Sequence, residues 1–144
     1  MAVVETSVVV NTTPEAIEEF SRYADSWPEW FTGVVGVAPS EDYPEVGSTV
    51  NVTFEAAGVQ FDILMTVTEY VVGEVVSYEL SGMATGTMSF YVDYLDDGQQ
   101  ITAHIDYKLP GGVVGQVADV TVVENQVRQN FDSAMDNLYN WIHG

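Results

Sequence analysis

Few side chains in this 144-residue chain are equipped for chemistry, and most of those fail on type or spacing. The histidines are His104 and His143. Histidine is the side chain best matched to proton transfer near neutral pH. His104 falls on the polar parity of an alternating segment and His143 sits at the frayed end of the chain, so they form no converging metal-ligand set and no metal is expected. With no cysteine, thiolate nucleophiles, thiolate metal sites and disulfides are excluded together. No serine stands in a Gly-x-Ser-x-Gly elbow. The cluster Asp93, Asp96 and Asp97 lacks the full calcium-loop pattern and reads as solvated charge at a hairpin tip. Gly111-Gly112-Val113-Val114-Gly115 lies where a phosphate loop would, but it has neither Gly-x-Gly-x-x-Gly nor a P-loop lysine, and reads as a flexible connection. What remains is phenol chemistry. Tyr78 and Tyr107 fall on apolar parities, with Tyr94 near a hairpin end. Each is either a core tyrosine bonded to backbone or water, or a polar handle on an apolar ligand.

Charge removes further classes. The chain has 22 acidic and 3 basic side chains, a formal charge of -19. Arg22, Lys108 and Arg128 make no basic stripe, so nucleic acid and anionic lipid are both repelled. A salt-rich host and a surface kept acidic for solubility each account for the imbalance. No stretch of about 18 apolar residues is present, so no membrane insertion is expected. The segment Met1 to Val10 has no basic n-region or cleavage site, and a cytoplasmic location is the expectation. The glycosylation-like triplets at Asn11 and Asn51 lack a secretion signal and read as chance matches.

These residues must be positioned by a single domain spanning 1–144, the expectation at this length. Val3 to Val10 reads as a strand. Thr12-Thr13-Pro14-Glu15 opens a helix with a threonine cap, proline in the first turn and acidic residues at the positive end of the dipole. Ile17, Phe20 and Ala24 share its apolar face, and Asp25-Ser26 is expected to cap a short helix, Trp27-Pro28-Glu29-Trp30-Phe31. Six strands follow: Val34 to Pro39, Ser48 to Ala56, Val59 to Tyr70, Glu74 to Ser81, Ala84 to Leu95, and Gln99 to Leu109. Their short turns imply an antiparallel meander, since a parallel crossover needs a dozen or more residues. Finally Val120, Val123, Val127, Phe131, Ala134, Leu138 and Trp141 recur at helical spacing, giving a long C-terminal helix whose polar side carries Glu124, Arg128, Asp132 and Asp136. The order β-α-α-β6-α predicts an α+β fold of about seven strands, with a curved antiparallel sheet wrapped around the last helix.

The strand alternation separates two faces. One parity is apolar: Val50, Val52, Phe54 and Ala56; Phe61, Ile63, Met65 and Val67; Val76, Tyr78 and Leu80; Met88, Phe90 and Val92; Ile101, Ala103, Ile105 and Tyr107. The other parity, including Thr68, Thr102, His104 and Asp106, is polar. Such a split predicts one solvated face and one buried face turned to the long helix. The buried set is either ordinary core or the lining of a ligand site. Met65, Met88 and Met135 suit either role.

The order of elements, together with Val8-Val9-Val10-Asn11 before Pro14-Glu15-Ala16-Ile17, then Trp27-Pro28-Glu29-Trp30-Phe31, Pro44-Glu45-Val46-Gly47 and Tyr107-Lys108-Leu109-Pro110-Gly111-Gly112, resembles the START-like superfamily. Within it the chain is similar to the polyketide cyclase/dehydrase and coenzyme-Q-binding group. The resemblance implies a helix-grip fold with a cavity between sheet and C-terminal helix, bordered by the loop after Pro110. It also implies a small hydrophobic partner of lipid, quinone or polyketide type, and no cofactor is expected. On that basis the expected ligand-binding residues are Trp30, Phe54, Phe61, Met65, Tyr78, Met88, Phe90, Tyr107, Val127 and Phe131. No catalytic residue is assigned and nothing fixes an oligomeric state. Carrying such a ligand is the leading expectation. A cyclase/dehydratase-like enzyme working by proximity, with a tyrosine or ordered water moving protons, is the alternative. An interaction protein acting through its acidic surface is a third.

Overall fold

Helix starts follow from local chemistry. Extended backbone at Thr13 lets its hydroxyl accept the Ala16 N–H at 3.3 Å, and Pro14 occupies a first-turn position that needs no donor. The computed structural model describes residues 2–109 and 120–144. In chain order the elements are β1 (Ala2–Val10), α1 (Pro14–Arg22), a 3-10 turn (Ala24–Ser26), α2 (Trp27–Trp30), β2 (Val34–Pro39), β3 (Thr49–Ala56), β4 (Val59–Val71), β5 (Val75–Gly82), β6 (Thr85–Leu95), β7 (Gly98–Lys108) and α3 (Val120–His143). Each strand lies within a residue or so of its expected bounds. Ser26 departs from expectation. Its hydroxyl makes no capping bond, but donates to Tyr23 O at 2.8 Å and accepts the Trp30 indole N–H at 3.4 Å.

The strands form one antiparallel sheet in the order β1-β7-β6-β5-β4-β3-β2. The meander from β2 to β7 follows the short turns, and β1 closes on β7, pairing Ala2 with Tyr107 and Val10 with Gln99. The sheet curves into a half-barrel that grips α3, the α+β helix-grip arrangement expected from the element order. From α3, Val123, Val127, Phe131, Ala134, Met135 and Leu138 are buried against it. Val120, expected on that apolar face, is 43% exposed at the first described turn.

Two features depart from strict alternation. A bulge between Val67 and Glu69 shifts the β4 register, so Tyr70 pairs with Val76 on the inner side and its hydroxyl donates to the Glu18 carboxylate of α1. Glu18 also accepts the Gly73 N–H at 2.8 Å, tying the β4–β5 turn to α1. Thr102, on the polar parity, is only 6% exposed because it lies in β7 between Ser7 of β1 and Tyr91 of β6. Close strand approach also dictates Gly86, at φ +136°, where a Cβ would stand 2.0 Å from Asp106 O.

Candidate functional site

The inner face of the sheet, α2 and α3 enclose an apolar cavity of about 50 Å³. Pro28 stands in the first turn of α2, where no donor is needed, and the four-residue spacing of Trp27 and Phe31 turns both toward the cavity. Phe31 is the hub of the aromatic wall. Its ring meets Phe131 of α3 edge-on at 5.3 Å and Phe54 of β3 at 6.4 Å. Sheet residues Phe61, Met65, Leu80, Met88 and Ile105 supply the opposite side. Among the described residues, Tyr107 and Trp27 are the wall residues with a side-chain oxygen or nitrogen, and neither exposes it to the cavity. The Trp27 indole N–H is already used, donating to Phe20 O at 3.0 Å. A cavity lined in this way gives water no hydrogen-bond partners and favours apolar matter.

Of the ten residues expected to bind a ligand, Phe54, Phe61, Met65, Met88, Tyr107, Val127 and Phe131 lie on the cavity wall. Trp30, Tyr78 and Phe90 do not. Trp30 stacks on the far side of Phe31 at 5.3 Å and packs edge-on against Phe20 and Phe90, forming a second aromatic layer. Tyr78 is fully buried, and its hydroxyl shares a 2.7 Å hydrogen bond with that of Tyr43, which comes from the β2–β3 connection. Burial pushes both phenols well above their ordinary range. Trp27, Phe31, Val34, Ala84 and Leu109 line the cavity without having been expected there. The Trp27/Phe31 spacing carried the only signal for any of them. The expected bordering loop after Pro110 lies outside the described residues.

The tyrosines divide by what their hydroxyls meet. Tyr94 is half exposed and donates to Gly73 O at 2.6 Å, away from the cavity. Tyr107 is 3% exposed, and its hydroxyl is buried with no hydrogen-bond partner among the described residues. Loss of hydration raises its pKa to about 12, with the Glu124 carboxylate adding to the rise and Arg128 opposing it. His104 stands on the outer face, its Nδ1 3.2 Å from Glu5 Oε1. Tyr91 donates to the same carboxylate oxygen at 3.0 Å.

This geometry, an apolar cavity between a gripping sheet and a C-terminal helix, coincides with a whole-chain match in sequence. The family profile described as polyketide cyclase / dehydrase and lipid transport matches residues 1–140. The chain belongs to this family. No curated protein matches it significantly in sequence. Solved structures share the fold at low identity. An aromatase/cyclase from a Streptomyces species superposes with a TM-score of 0.75 at 15% identity, covering 99% of this chain and 93% of that one. The major latex-like protein 151 of Panax ginseng gives 0.74 at 14% identity, covering 99% and 98%. The protein TTHA0849 of Thermus thermophilus gives 0.78 at 12% identity, covering 99% and 97%. At such identities the likeness is one of fold, and the polyketide cyclase/dehydrase and lipid transport family includes both catalysts and carriers by its own description.

Proposed function

We propose that this protein binds and carries a small hydrophobic molecule, of lipid, quinone or polyketide type, in the cavity between the sheet and α3. The observation that supports it best is the cavity wall, which among the described residues turns only hydrocarbon, thioether and aromatic groups to the space. Affinity in such a site comes from burial of apolar area. The cavity is smaller than the roughly 150 Å³ space that takes up benzene in a protein interior, so a ligand enters by displacing side chains. Met65 and Met88, unbranched and polarizable, are the wall residues best able to move.

The test is equilibrium binding of an environment-sensitive hydrophobic dye, followed by displacement with quinones and fatty acids and by native mass spectrometry of protein from its natural host. Saturable dye binding with displacement supports the reading. A folded sample that binds no dye overturns it. The family description also names cyclases and dehydrases, and for that second reading the buried Tyr107 phenol is the available acid. Turnover of a supplied polyketide chain would move the assignment from carrier to enzyme.

A further inference from the structure

Alternate turns of an antiparallel meander fall at the same end of the sheet, so the β2–β3 and β4–β5 connections stand together, with the end of α1 beside them. Three apolar side chains are presented there, each more than half exposed: Val46 of the β2–β3 connection, Tyr23 at the C-terminal cap of α1 and Val72 of the β4–β5 turn. Scattered singly, such residues would need no explanation, but these share a surface. Tyr23 lines two adjoining clefts, one of about 810 Å³ that reaches Val46 and one of about 360 Å³ that reaches Val72. Exposed carboxylates of Glu15, Glu19, Asp25, Glu41, Asp42 and Glu45 line the same clefts, and Arg22 is the one basic side chain among the described residues there. We propose that this surface docks a basic amphipathic segment of a partner protein, its apolar anchors lying along Val46, Tyr23 and Val72 and its lysines or arginines meeting the acidic rim. Neither cleft shares a described residue with the apolar cavity, so the docking surface is separate from the ligand site.

The supports of the three anchors are fixed before any partner arrives. Glu18 accepts the Tyr70 hydroxyl and, at 2.8 Å, the Gly73 N–H, which holds the turn carrying Val72 against α1. Beside Val46, the Gly47 N–H donates to Val67 O at 2.8 Å, and the Tyr43 hydroxyl is bonded to that of Tyr78 in the core. A partner therefore meets apolar groups whose backbone is already ordered, which lowers the entropy lost on association. Charge selects the occupant. A second copy would set one acidic rim against another on molecules of charge -19, and anionic lipid and nucleic acid are repelled for the same reason. A basic segment is instead drawn in and oriented by the rim. Arg22 opposes it weakly, because its guanidinium is directed at Tyr70, the phenol bonded to Glu18. Two clefts in succession across Tyr23 suit a length of chain with spaced anchors rather than one small cation.

The probe is a fluorescently labelled synthetic helix of about 18 residues, with leucine at i, i+3, i+4 and i+7 spacing and lysine elsewhere. Its controls are a scrambled peptide of the same composition and one with glutamate in place of lysine. Fluorescence anisotropy is read with the intact protein and with three double variants, all at exposed positions and each checked by thermal melting: Val46→Ser/Val72→Ser, Glu41→Gln/Glu45→Gln, and Asp132→Asn/Asp136→Asn on α3. The last two remove the same charge, one pair inside the clefts and one pair away from them. The valine pair is expected to weaken binding about tenfold or more. Neutralising the cleft pair is expected to weaken it about three- to tenfold, and the α3 pair less than about twofold. Equal effects of the two neutralised pairs overturn the proposal in favour of general attraction to an acidic molecule. Scrambled peptide binding as tightly overturns it by removing the apolar anchors, and so does a failure of the amphipathic peptide to bind or a preference for the glutamate peptide. Sedimentation of the parent as a dimer that Val46→Ser/Val72→Ser converts to a monomer overturns it in favour of a second copy of this chain.

Discussion

Replacing Phe131 by alanine tests whether the aromatic wall is a tightly closed structure. The ring is buried and meets Phe31 edge-on at 5.3 Å. Losing its burial costs about 1.5–3 kcal/mol. Losing the edge-to-face pair costs about 0.5–1.5 kcal/mol more. Every ~40 Å³ left unfilled adds about 1 kcal/mol. Helix propensity works the other way, since alanine is the better helix former. Collapse is limited because the facing wall is hydrogen-bonded sheet, so the expected loss is about 3–5 kcal/mol. The deleted ring space joins the existing cavity of about 50 Å³, making one enlarged apolar site. Urea unfolding should show the midpoint falling with the slope unchanged. Benzene at ten times its Kd should restore about 1.4 kcal/mol to Phe131→Ala by mass action and much less to the parent. A loss under about 1 kcal/mol would show that Phe131 is not enclosed as described. Equal stabilisation of both proteins by benzene would show that the new space is not continuous with a ligand-accepting cavity.

Three further outcomes follow from charge, protonation and backbone. Raising sodium chloride from about 0.05 M to 1 M should raise the Tm, because screening relieves repulsion among 22 carboxylates, while the one ion pair found among the described residues, His104–Glu5, offers little attraction to lose; a flat or falling Tm contradicts this. Tyr70 and Tyr107 each have a pKa raised to about 12 in the folded state from an ordinary value of 10.0, by burial first in both cases. Between those values only the unfolded chain ionises, so their contribution to stability is fully present below pH 10 and is lost as pH rises toward 12. Unfolding midpoints across that window should fall less steeply for Tyr107→Phe than for the parent, and identical slopes would refute the assigned shift. Gly86→Ala places a Cβ at φ +136° against Asp106 O, so circular dichroism melts should show a loss above the roughly 1–3 kcal/mol of the backbone conformation alone, and a melt like the parent's would contradict the β6–β7 geometry.

The amino-acid order by itself determined the elements and the face each would bury. Period-two alternation in Phe61, Met65, Met88, Ile105 and Tyr107 placed these residues on the inner side of the sheet, because side chains in a strand alternate without regard to distant contacts. The same rule kept His104 outside, where it meets Glu5. Helical spacing likewise marked Val127 and Phe131 as the face of α3 that turns to the sheet. Alternation fails where a residue is inserted, so it does not mark Tyr70, beyond the β4 bulge, as inward-facing. Only the tertiary structure decided which buried residues border empty space and which are packed solid. Trp27 and Trp30 are three residues apart and equally buried, yet one lines the cavity and the other stacks behind Phe31. Tyr78 and Tyr107 share the inner face, yet Tyr78 finds the Tyr43 hydroxyl from a remote connection while Tyr107 finds no partner among the described residues. Periodicity fixes a direction from the backbone, whereas contact depends on distances between elements far apart in the chain, which only their packing sets.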